Sequence, residues 1–168
     1  YSNSLEGLSL SINGNISTVT TADSSNAYAV YILETNSSTT AIAGNLSSTV
    51  SDGFTAGLFI QNSDYHSVIL EGDITTSGPD SIYGLSLRNA DNNTINMTGL
   101  LKATGSGDGA KGIRIKESNN NTISITGDIL ISAASGSAAA IHFSNHSDNN
   151  IVPVDGKVSA TGTSTRSA

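Results

Sequence analysis

The chain has 168 residues, enough for one domain with a sizeable core, and a formal net charge of −7. Charged residues make up 12% and aromatics 5%, while Gly, Ser, Thr, Asn and Ala dominate; this argues against a helical globule, because Ser, Thr and Asn compete with the helix backbone for hydrogen bonds. The acidic balance, without a basic run, argues against a nucleic-acid partner held through its phosphates, and no apolar run approaches the ~20 residues of a membrane-spanning helix.

Tyr1 to Gly7 lacks a clean strand and reads as an irregular N-terminal end. With neither Met nor a charged, apolar leader, it suits a processed protein or an excised segment. From Leu8 onward the chain repeats. A bend glycine returns at Gly14, Gly44, Gly72, Gly99, Gly127 and Gly156, at spacings of 30, 28, 27, 28 and 29. Two positions before each glycine stand Ile12, Ile42, Leu70, Met97, Ile125 and Val154. Two positions after stand Ile16, Leu46, Ile74, Leu101, Ile129 and Val158. The residues between them are mostly polar, so the spacing predicts a strand on each side of the bend, one row inward and the other in water.

A third strand is predicted at Val30–Ile32, Leu58–Ile60, Leu85–Leu87, Ile113–Ile115 and Ile141–Phe143, preceded by Ala29, Gly57, Gly84, Gly112 and Ala140. Eight residues lead from its last apolar position to the next coil, as from Ile115 to Ile123 and from Phe143 to Ile151. They pass through an Asn- and Asp-rich corner in which Asn93, Asn121 and Asn149 form an expected ladder, with His66 in that place one coil earlier. The other corner varies in length and has a turn-forming composition. At the C-terminal end, Val152-Pro153-Val154 reads as a one-residue insertion, and residues 159–168 as an incomplete last coil.

Three short strands, a fixed corner and a variable corner per repeat describe an all-β, single-stranded parallel β-helix, or β-solenoid, of five to six coils of about 28 residues, with residues 1–168 forming one domain. A β-sandwich of short strands explains the alternation but not six bend glycines in register.

The unit NNTI-x-(I/M)-x-G-x-(I/L), clearest at Asn93 to Gly99 and Asn121 to Gly127, resembles the β-helical passenger domains of bacterial autotransporters. The resemblance runs from about Leu8 to Ala160. It implies a right-handed helix carried unfolded to the cell surface, with a role in adhesion, self-association or display. The absence of cysteine is compatible with that route. The same fold serves phage tailspikes, polysaccharide-degrading enzymes and surface-fibre subunits.

Four groups of side chains invite chemistry. Glu71 and Asp73 flank Gly72, with Asp128 in the column of Asp73. An acid pair about 7 Å apart suits inverting glycoside hydrolysis, yet no cleft walls or aromatic platforms accompany it, so a solvated face is expected and no catalytic residue is assigned. Arg88, Arg114, Lys116 and His142 project outward from the third strand in successive coils. They form a candidate glycan- or partner-binding patch, against the alternative of an exposed sheet whose cations discourage aggregation. His66, His142 and His146 lack ligand spacing and GSGDGAK at 105–111 has few acids, so no metal and no cofactor is expected. The aromatics Tyr28, Tyr31, Phe54, Phe59, Tyr65 and Tyr83 fall in the first half, near the variable corner. Tyr28, Phe54, Tyr65 and Tyr83 are the candidate aromatic partner surface, against packing as a satellite core.

The function expected from these features is a non-enzymatic structural or adhesive β-helix of a bacterial surface or secreted protein, at the outer membrane or outside the cell. Its expected partners are copies of itself, other surface proteins or glycans. The alternative is a polysaccharide-binding or polysaccharide-cleaving module of tailspike or lyase type.

Overall fold

The computed structural model describes residues 5–22, 25–107 and 109–163. The chain is all-β and winds as a parallel β-solenoid of about five coils, its three long sheets running along the solenoid axis. Sheet 1 holds the strands before each bend glycine: Ser9–Asn13, Thr39–Ala43, Ser67–Glu71, Thr94–Thr98, Thr122–Thr126 and Val154–Asp155. Sheet 2 holds those after it: Ile16–Thr20, Leu46–Val50, Ile74–Gly78, Leu101–Gly105, Ile129–Ala133 and Val158–Gly162. Sheet 3 is wider and holds Ala27–Leu33, Thr55–Gln61, Ile82–Arg88, Gly109–Lys116 and Ser137–Ser144. Each strand pairs in parallel with its counterpart one coil away. Leu5–Glu6, within the stretch expected to be irregular, pairs with Thr35–Asn36 at the fixed corner.

The bend glycines are required by a close approach. Gly44, Gly72, Gly99, Gly127 and Gly156 stack on one another. A Cβ on Gly127 would sit 2.2 Å from the Gly99 carbonyl oxygen, and the backbone there has φ +137°. An L side chain fits neither the space nor the dihedral. The residue after the glycine closes the bend in most coils: Asn15 Oδ1 accepts from the Asn45 N–H, Asn45 Oδ1 from Asp73, Asp73 Oδ1 from Leu100, and Asp128 Oδ1 from Lys157, each at 2.8 Å.

Sheet 3 shows why a small residue precedes its apolar core positions. The pairing skips 29, 57, 84, 112 and 140 in every coil, so the backbone bulges and that residue turns inward. A Cβ on Gly57 would lie 2.3 Å from Ile74 Cγ2. The remaining inward rows form one core with the rows of sheets 1 and 2. Leu46, Leu58, Ile74, Leu85, Leu101, Ile113 and Ile129 are fully buried. Each buried aliphatic side chain contributes roughly 1.5–3 kcal/mol. In the outermost described coils the same rows are covered on one side only, and Leu10, Phe143 and Val158 are exposed.

The fixed corner corrects two expectations. The third asparagine of the ladder is Asn150, not Asn149: Asn121 donates from Nδ2 to Asn150 Oδ1 at 2.9 Å, as Asn93 does to Asn121 at 3.0 Å. The extra residue lies in the corner and not at Val152–Val154. Lys116 pairs with Ser144, an offset of 28, whereas Thr122 pairs with Ile151, an offset of 29. Two consecutive residues, Asn145 and His146, take positive φ here, where other coils use one, such as Asn89 or Glu117. Val152 therefore follows Ile123 as the inward residue, and Ile151 is exposed.

The same corner explains the polar Thr40 in a column otherwise filled by Val68, Ile95 and Ile123. His66 takes the asparagine place one coil before Asn93, and its ring is larger. Its Nε2 lies 2.9 Å from Thr40 Oγ1, and its Nδ1 lies 3.4 Å from Thr35 Oγ1. A buried imidazole needs such partners. Burial holds its pKa below the usual histidine range, with a backbone contact to Thr35 working the other way.

Candidate functional site

The outer face of sheet 3 gathers most of the chain's rings and cations. Its outward columns, read along the axis, are Tyr28–Ala56–Tyr83–Lys111–Ala139, Tyr31–Phe59–Ser86–Arg114–His142 and Leu33–Gln61–Arg88–Lys116–Ser144. The first coils present aromatic rings and the later ones cations. Both candidate surfaces expected from the sequence, the basic patch and most of the aromatic group, thus meet on one sheet.

The aromatic half is a packed cluster. Phe59 and Tyr83 are buried outside the main core, with Tyr28 and Phe54 against them. Tyr31 and Phe59 stack with centroids 5.1 Å apart and planes 7° from parallel. Phe54, from the variable corner, meets Tyr83 at 4.9 Å and Tyr28 at 5.5 Å. Such pairs add about 0.5–1.5 kcal/mol beyond area burial. Tyr31 stays exposed and donates its hydroxyl to Gln61 Oε1 at 2.9 Å. Burial and the neighbouring Tyr31 hydroxyl push the Tyr28 pKa up. Tyr65 does not belong here. It lies in the fixed corner, exposed, with φ +56°.

The cationic half begins where the rings end. Arg114 lies over the Tyr83 ring at 5.0 Å, and Lys111 over the same ring at 5.3 Å. Cation–π contacts of this kind are worth about 0.5–2 kcal/mol and hold the head groups in place. Lys116 lies 3.6 Å from Glu117 at the surface, a pair of little energetic weight. Glu117 itself accepts from Asn145 Nδ2 at 3.1 Å, and that bond, with Lys116 and Arg88 nearby, holds its pKa low. Among the described residues no carboxylate lies within ion-pairing distance of Arg88, Lys111 or Arg114. His142 is half-buried beside Lys111 and Arg114. Burial first, and those two charges next, hold its pKa low.

The charge distribution sets this face apart. The chain has 7 Lys and Arg against 14 Asp and Glu, and four of the seven, Arg88, Lys111, Arg114 and Lys116, stand on this sheet. Its five strands contain no Asp or Glu. Two polar atoms buried on the same face lack a hydrogen-bond partner among the described residues: Ser86 Oγ and His142 Nδ1. Both belong to the Arg114 column.

The carboxylates weighed as a hydrolytic pair are placed differently. Asp73 spends an oxygen on the Leu100 N–H, the structural task of Asp128 at Lys157. Glu71 is exposed on sheet 1. Among the described residues no group of three or more His, Cys, Asp or Glu could hold a metal ion, and no helix is long and apolar enough to cross a membrane. Two shallow depressions lie on the other sheets, one lined by Thr104, Ser132 and Thr161 and the other by Ile12, Ile42 and Ile69.

Sequence reasoning missed Lys111 and Ser86 as members of this face. The repeat carried the signal for both: Lys111 stands 28 residues after Tyr83, and Ser86 stands 28 before Arg114. Compared with protein-family models, curated proteins and solved structures, the chain matches none.

Proposed function

We propose that this chain is a non-enzymatic structural β-helix of a bacterial surface or secreted protein, of the autotransporter-passenger kind. In this reading it works outside the cell in adhesion or self-association. The observation that carries it is the division of the molecule. The fixed corner and the glycine bends are occupied with holding one coil to the next, while the outer face of sheet 3 concentrates four of the chain's seven cations beside an exposed aromatic edge. A stiff stack of coils that presents one such face suits display better than turnover.

The test is to display the chain on bacterial cells through an outer-membrane anchor and to measure cell settling and adherence to surfaces against the anchor alone. The reading expects at least one of the two to rise, and to fall back when Arg114→Glu and Lys116→Glu are introduced together. Cells indistinguishable from the anchor control in both assays overturn it.

A further inference from the structure

The sheet 3 face has a chemistry that selects its occupant. Lys111, Arg114 and Lys116 point outward from one strand, and Arg88 stands beside Lys116 in the preceding coil. Arg114 and Lys116 are two residues apart, so their stems lie about 7 Å from each other along the strand. Outside the Lys116–Glu117 contact, these cations have no carboxylate partner among the described residues. We infer that this face binds an acidic polysaccharide, a sugar chain carrying carboxylate or sulfate groups at intervals, laid across the sheet over the Lys111–Arg114–Lys116 row with its hydroxyls toward His142 and the tyrosine edge. The inference rests on the display reading above and names the ligand class of that same face.

Four features favour this occupant. The first is charge complementarity. The row is cationic, and the guanidinium groups of Arg114 and the neighbouring Arg88 match carboxylate or sulfate oxygens through paired N–H donors. The second is the form of the face, a sheet of parallel strands paired in register. On such a sheet each contact contributes little, and a polymer of repeated charged groups is held by several at once. The third is the state of the rings. Tyr31 and Phe59 cover each other's faces, and Tyr83 lies beneath Arg114. Nucleic-acid bases would need free ring faces to stack upon, whereas an acidic sugar chain is held here through its charged groups and hydroxyls without such platforms. The fourth is His142, partly exposed beside Lys111 and Arg114, whose ring Nδ1 has no hydrogen-bond partner among the described residues. A second copy of the chain fits less well. Asp64 and Asp91 at the fixed corner each accept a backbone N–H from the following coil, at 2.7 and 2.6 Å, and are committed to holding it.

The experiment measures binding of the whole chain to immobilised polygalacturonate, dextran sulfate, neutral dextran, polyglutamate and oligodeoxythymidine, at low and at physiological salt. The expected result is binding to an acidic polysaccharide, weakened by salt, with neutral dextran silent. Preference for polygalacturonate assigns the carboxylate, and preference for dextran sulfate assigns the sulfate. Arg114→Glu with Lys116→Glu is expected to lower the affinity about tenfold or more. Lys102→Glu with Lys157→Glu, on other faces, leaves it within about twofold. Circular dichroism and the urea midpoint establish that both variants are folded. His142 gives a second reading: its pKa, followed by NMR, rises when polyanion covers the face. Binding that survives the Arg114/Lys116 charge reversal, or no binding to either acidic polymer, overturns the inference. So does polyglutamate or oligodeoxythymidine binding as tightly as the polysaccharide. If polysaccharide binding is absent while settling or adherence of displaying cells persists, only the ligand class falls. If binding holds while displaying cells behave as the anchor control, the display reading falls instead.

Discussion

The fixed corner and the outer face of sheet 3 lie on the same coils and obey different rules. At the corner, residue type repeats along the axis in Asn93–Asn121–Asn150, and these side chains are spent on the backbone or amide of adjacent coils. On the outer face of sheet 3 the type changes from coil to coil, Tyr31 to Phe59 to Ser86 to Arg114 to His142, in strands whose backbone pairing continues unbroken. Stacking explains a column that repeats. It does not explain one that changes while the strand geometry stays constant. Outward columns on sheets 1 and 2 change as well, as in Ser11–Ala41–Ile69–Asn96–Ser124; sheet 3 differs in that its changing columns bring rings and cations side by side.

The sharpest way to break this distinction is at the stacked glycines. Gly127→Ala places a methyl 2.2 Å from the Gly99 oxygen at φ +137°. The cost is expected to be about 4 kcal/mol or more, from strain and overlap combined, read as a lowered urea midpoint. Retention of wild-type stability would mean that the coils are not in this register. Leu85→Ala, in the buried row, is expected to cost about 2–5 kcal/mol in the same measurement, and the spread to Ile113 should be felt as faster local hydrogen exchange.

Asn121→Ala tests the corner itself. It removes the acceptor used by both the Asn93 backbone N–H and the Asn93 side-chain amide, at 2.8 and 3.0 Å. Each buried group left unpaired costs about 1–3 kcal/mol. His66 provides a pH-dependent test at the same level of the stack. Its pKa in the fold lies below its ordinary value, so the unfolded chain takes up the proton first. The contribution of a neutral His66 is therefore complete above about pH 6.5 and is lost as pH falls through the folded pKa. His66→Asn, which continues the ladder, should flatten that part of the stability–pH curve. A curve unchanged by the substitution would place the titration elsewhere.

The smallest effect is expected on the outer face. Arg114→Glu should change folding stability by about 0.5–1 kcal/mol at most, since it removes one cation–π contact at a partly exposed site. A loss as large as that of Asn121→Ala would erase the difference between the two regions.

Much of the architecture was legible in the sequence because register in a solenoid is written as spacing. The bend glycines and the aliphatic residues two places to either side repeat within three residues of a common period, and the structure places them in sheets 1 and 2. The corner was less legible. Asn145, His146, Asn149 and Asn150 are all compatible with tight corners, and only the backbone pairing shows that Asn145–His146 absorbs the extra residue and that Asn150 enters the ladder. The basic patch was visible as outward positions of one strand, but its meeting with the aromatic group was not. That meeting depends on the bulge at the small residue before each core position, which returns residues 28, 83 and 111 to the outer face alongside 31, 86 and 114. Tyr65 was grouped with the other rings because it is near them in sequence, whereas the corner carries it to a different side of the coil.

The most direct test of the account is an amide and side-chain NMR titration of this 17.1 kDa chain with polygalacturonate fragments. The account predicts shifts concentrated at Arg88, Lys111, Arg114, Lys116, Ser86 and His142, with the Asn93–Asn121–Asn150 corner and the glycine bends unmoved. Shifts centred on the fixed corner or on sheets 1 and 2, or none at saturating ligand, would contradict it.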